Sequence, residues 1–165
     1  MTSRRSRILV SVVGVLLVML YAGLAAVQIL VLNPIAAAPG LTLDDIRADM
    51  RSANESLGAE MVFLVLGIGV ALAVAVAIIV IARSAPPRLA AMLFLSILTM
   101  GVPAYFVASF TAGMGLADTY GIGGGDHSPW SRVLYVASLA SFVAVVTIAV
   151  QSARGGRQSP DIAPA

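Results

Sequence analysis

An all-α integral membrane protein, a four-helix bundle with both termini on the cytoplasmic side, is the fold class this sequence predicts, and three observations predict it. Hydrophobic residues make up 59% of the chain and charged residues only 11%, whereas a soluble domain carries about a quarter charged. Four uncharged apolar stretches each reach the roughly 20 residues a helix needs to cross a hydrocarbon core of about 30 Å. The basic residues, all of them arginine, fall unevenly on the segments between those stretches. A transmembrane barrel is set aside, because its strands alternate in segments of about ten residues and these runs do not.

The chain reads as a single membrane domain over residues 1–165. Its first span covers about 8–32, behind Arg4, Arg5 and Arg7. It is expected to end at Asn33-Pro34, since the residue before proline is biased away from helix. A basic start and the small residues Ala36-Ala37-Ala38 resemble a cleaved leader. An apolar run of about 25 residues exceeds the 7–15 of a signal core, however, so the helix is expected to be retained.

The first outer loop, about 33–60, holds a short extracytoplasmic amphipathic helix. Thr42 and Asp45 stand at capping-box spacing, with Asp for the usual Glu. Leu43, Ile46, Met50, Ala53 and Leu57 then recur at spacings of three and four, with charged residues mostly between them and a stop expected near Gly58. Its apolar face suits covering the mouth of the bundle. The alternative is a docking surface, through Leu43, Ile46, Met50 and Leu57, for a membrane-protein partner.

The second span covers about 61–82 and the third about 89–112, joined by a turn bracketed by Arg83 and Arg88. A second outer loop, about 113–132, carries Gly113, Gly115, Gly121, Gly123, Gly124 and Gly125 and reads as a flexible connection. Ser128-Pro129-Trp130 gives the fourth span, about 133–152, an N-cap, a first-turn proline and an interfacial tryptophan. Residues 153–165 form a cytoplasmic tail. Seven arginines (4, 5, 7, 83, 88, 154 and 157) lie on the face holding both termini, against three (47, 51 and 132) on the other. The positive-inside rule therefore puts both ends in the cytoplasm. The absence of lysine and the wealth of Ala, Val and Gly suggest a bacterial cytoplasmic membrane.

Function is less legible. With no cysteine, thiol redox chemistry and cysteine-bound metals are excluded, and no basic patch of nucleic-acid type exists. The spans carry no ionisable group of the kind that marks ion paths and proton relays. Two rows of small residues on the second span, Gly67, Ala71, Ala75 and Gly69, Ala73, Ala77, permit close helix approach, within the bundle or in a homo-oligomer. In the third span Pro103 should kink the helix by freeing the Thr99 carbonyl. Thr99, Pro103 and Tyr105, with Gln28 from the first span, outline a candidate ligand cleft. Asp118, Asp126 and His127 are the only candidates for outer-face chemistry, and Asp126-His127 is not a metal-ligand spacing.

The leading expectation is a non-catalytic accessory, assembly or scaffolding protein, with no metal or cofactor and the lipid bilayer as its surroundings. A carrier or binding protein for a lipid-like molecule at the Pro103 cleft is the alternative. An outer-face enzyme using Asp118, Asp126 and His127 is the second.

Overall fold

A computed structural model of the chain describes residues 2–156, and every regular element among them is helical. Helix α1, Thr2–Val27, runs through a π-turn at Gln28–Leu32 into α2, Asn33–Ala37. Then follow α3, Leu43–Ser52, and α4, Ala59–Ala82. Helices α5, Pro87–Thr99, and α6, Gly101–Tyr120, meet at a break on Met100, and α7 covers Ser131–Gly156. Four helical stretches are long and apolar enough to cross a membrane: Arg4–Ala37, Ala59–Ala82, Pro87–Tyr120 and Ser131–Arg154. The sequence expectation for Arg157, and for most of the tail, lies outside the described residues.

The first and third of these stretches form the centre. Helix α1 packs mainly against α4 and α5, α5 also packs against α7, and α6 reaches across to α4. Of the most apolar window in each stretch, 28% is buried in the first and third but 17% in the second and fourth, so α4 and α7 flank the pair. Leu20, Phe63, Ile78, Phe106 and Val136 point outward with more than 60% of their surface exposed, an apolar periphery that suits lipid. On α4 the two rows of small residues part company. Ala73 is fully buried beside Val18 and Phe94, with Ala77 packed against the same cluster, whereas Gly67, Ala71 and Ala75 are exposed.

Four boundaries differ from the sequence expectation. Asn33-Pro34 does not end the first helix. The Asn33 N–H reaches back five residues to the Gln28 carbonyl, and this π widening relieves the clash that a proline ring makes with the carbonyl four residues earlier. The third stretch continues to Tyr120 rather than stopping at Ala112, so residues 113–120 are helix and not loop. Helix α3 stops at Ser52, well before Gly58. Asn54 takes a left-handed φ of 60°, and the Asn54 and Glu55 amides bond the Arg51 and Met50 carbonyls in the Schellman pattern. Ser128-Pro129-Trp130 form a tight turn ahead of α7, with Arg132 N–H bonding the Pro129 carbonyl at 3.2 Å.

Candidate functional site

Pro103 has no N–H to offer the Thr99 carbonyl, and the helix breaks just before it, at Met100. The break is held from two sides. Tyr21 of α1 lies across Gly101, where a Cβ would come within 2.5 Å of the ring. From α7, Ser138 donates to the Leu98 carbonyl at 2.8 Å, and its hydroxyl lies 3.2 Å from that of Tyr21. Ser96 and Thr99 turn their hydroxyls back onto the carbonyls of Met92 and Leu95, so both are satisfied within their own helix.

On the side facing α4 the offset between α5 and α6 leaves a lateral cleft of about 450 Å³. Its walls include Ala22 of α1, Leu66, Gly69 and Leu72 of α4, Ile97 of α5 and Ala104 of α6. The floor at Gly69 is open, with no atom within 4 Å of where its Cβ would stand. Of the four residues singled out as a candidate cleft, none is in this wall. Tyr105 and Gln28 are instead buried in the neighbouring core. Gln28 adjoins Tyr105, with both of its amide atoms buried.

A second feature lies at the α3 end. The glycine-rich segment after α6 does not hang free; it folds onto the helices. Asn33 Oδ1 accepts the backbone N–H groups of His127, at 2.6 Å, and Ser128, at 3.2 Å. Asp126 is held by two phenols: Tyr105 donates to Oδ1 at 2.5 Å, and Tyr135 donates to Oδ2. The two tyrosine rings meet edge to face, centroids 6.0 Å apart. Gly113 is what allows the segment so close, because a Cβ there would stand 2.5 Å from the Gly124 carbonyl oxygen. His127 Nε2 lies 2.9 Å from the Gly123 carbonyl, and Asp118 is exposed on α6. Asp126 and His127 thus have separate hydrogen-bond partners, and no group of three or more His, Asp or Glu that could hold a metal ion is found among the described residues.

Helix α3 lies over the same end. Ile46, Met50 and Leu57 are buried in one cluster with Ala112 and Leu116 of α6, and Leu43 is half-buried. Gly115 admits the contact: a Cβ there would stand 2.9 Å from Met50 Cε. Most of the apolar face offered above as a docking surface is thus covered by the chain itself. The capping box forms as read, Thr42 and Asp45 each bonding the other's backbone N–H, and Asp44 pairs with Arg47 at 3.5 Å. The hydrogen bonds from Thr42 hold the Asp45 carboxyl below its ordinary range.

Asn33, Tyr21, Tyr135 and Ser138 escaped the sequence reading. Asn33 was legible only as part of a helix stop, and nothing in their spacing ties residues 33, 105, 126 and 135 together. The fold defines a class: an all-helical chain with four membrane-length helices, a lateral apolar cleft at a helix break and a polar cluster at one end. Compared with known proteins, the chain matches no family model, no curated protein and no solved structure.

Proposed function

We propose that this chain is a non-enzymatic, multi-pass protein of a bacterial cytoplasmic membrane whose working part is the lateral cleft, which takes an apolar molecule of lipid type. Both termini lie in the cytoplasm and α3 on the outer face, as the arginine distribution favours. The observation that carries the reading is the cleft itself: about 450 Å³ of space, walled almost wholly by aliphatic groups. That is within the size range of small-molecule sites. Sequence alone ranks an accessory or scaffolding role first; the size and aliphatic lining of the cleft support the binding reading instead.

Gly69 supplies the test. A Cβ there would meet no neighbouring element within 4 Å, so a larger side chain can extend into the cleft that Gly69 lines. Extracted gently and weighed intact by native mass spectrometry, the wild-type chain is expected to carry a bound lipid and Gly69→Leu to lose it. A wild-type chain that flies bare, or a variant that keeps the same lipid load, overturns the reading. The second reading, an assembly subunit or homo-oligomer, rests on the outward row Gly67, Ala71 and Ala75. It calls for a crosslink from that row to a partner, and its absence in native membranes removes the idea.

A further inference from the structure

A pocket beside the polar cluster has a chemistry that the cleft does not share. It measures about 260 Å³ and is bordered by four aromatic rings, those of Tyr105, Phe106, Phe110 and Tyr135. Asp126 is the one charged residue among those described in its wall. Each oxygen of that carboxylate receives one tyrosine hydroxyl, which leaves acceptor capacity on both. Asp126 as a residue is exposed, and the ion pair found among the described residues lies elsewhere, between Arg47 and Asp44. Phe106 and Phe110 meet edge to face at 6.2 Å, and each is more than half exposed beside the pocket.

A carboxylate with free lone pairs beside aromatic rings is the complement of a cation. Charge-assisted hydrogen bonds act at the carboxylate, and cation–π attraction acts at the rings. A primary ammonium suits the site better than a quaternary one, since its three N–H donors can meet the open acceptors. The pocket also lies at the α3 end of the helices, where exposed Trp130 marks the aromatic level of a membrane interface. We propose that this pocket binds a primary ammonium group, carried by an aminophospholipid headgroup or by a free polyamine. The site is separate from the cleft and shares with the preceding reading only its placement in a bilayer.

The test exchanges the purified protein into detergent holding equal phosphatidylethanolamine and phosphatidylglycerol, and reads the bound lipids by native mass spectrometry. For a headgroup ligand, the wild-type chain is expected to favour the ethanolamine lipid about tenfold, the size of a combined charge and cation–π contact. Asp126→Asn is expected to abolish the preference. Phe106→Ala with Phe110→Ala, which spares the buried core, is expected to reduce it several-fold. For a free polyamine, the wild-type chain shows no lipid preference but takes up added spermidine, and Asp126→Asn does not. Equal retention of both lipids with no spermidine uptake overturns the proposal, as does undiminished selectivity in Asp126→Asn or in the double phenylalanine variant. Gly69→Leu separates the two sites: it should lower total lipid while leaving the selectivity of the pocket intact. If the cleft reading fails, Gly69→Leu changes nothing and the Asp126→Asn effect remains.

Discussion

Replacing Gly113 with alanine asks whether the glycine-rich segment is held as tightly as its hydrogen bonds imply. A Cβ at that position would stand 2.5 Å from the Gly124 carbonyl oxygen, a backbone atom with no flexible end to swing aside. Reaching an ordinary contact of 3.4 Å requires the segment to retreat by the difference, 3.4 − 2.5 = 0.9 Å. Carried along the backbone, the same retreat stretches the Ser128 N–H bond to Asn33 from 3.2 Å to 3.2 + 0.9 = 4.1 Å, past hydrogen-bond range. It takes the His127 bond from 2.6 Å to 2.6 + 0.9 = 3.5 Å, the edge of that range. With the two phenol bonds to Asp126 also disturbed, and about 1 kcal/mol lost for each bond, up to about 4 kcal/mol is at stake. Alanine returns about 1 kcal/mol through its better helix propensity. The net expected loss is about 1–3 kcal/mol in the local opening equilibrium. Amide hydrogen exchange at His127 and Ser128 should therefore speed up by about five- to 150-fold in detergent-solubilised protein. Gly123→Ala is the control, because its Cβ would meet nothing within 4 Å. Unchanged exchange in Gly113→Ala, or equal acceleration in both variants, refutes the reasoning.

Asn33→Ala removes the acceptor of two backbone N–H groups and is expected to cost about 2 kcal/mol, read as earlier thermal unfolding and faster exchange in the segment 123–128. Asp45 gives a pH dependence. Its carboxyl is held below the ordinary range by Thr42, so the stability it lends α3 is complete above the ordinary carboxylate pKa. That stability is lost as pH falls through the lowered folded value. Protection of the α3 amides, taken against the intrinsic exchange rate at each pH, should fall only in acid, and Thr42→Ala should flatten that dependence.

The long apolar runs were legible because crossing hydrocarbon as a helix demands a simple composition over many residues. The Thr42–Asp45 cap was legible because capping is local. What could not be read were signals with two meanings. Pro34 usually stops a helix, but a π-turn at Gln28–Leu32 accommodates it. Gly113 and Gly115 look like loop residues, yet both are helical and serve close approach, one to Gly124 and the other to Met50 and Ser56. A glycine's sequence context does not say whether its freedom or its small size is in use. The Asp126 cluster joins residues 105, 126 and 135 across two helices and a turn, a pairing that only the packed chain produces. The Pro103 kink was foreseeable from one residue, but the cleft beside it is set by Tyr21, Gly69 and Gly101, whose meeting no local pattern announces.

Because the chain has no cysteine, single cysteines can report which face each loop occupies with no background. Ala48→Cys on α3 and Gly123→Cys in the glycine-rich segment are expected to react with a membrane-impermeant maleimide in intact cells. Ala85→Cys in the turn between α4 and α5, and Ala153→Cys near the end of α7, are expected to react only after the membrane is opened. Labelling of all four from outside, or the reverse pattern, contradicts a four-pass protein with both termini in the cytoplasm.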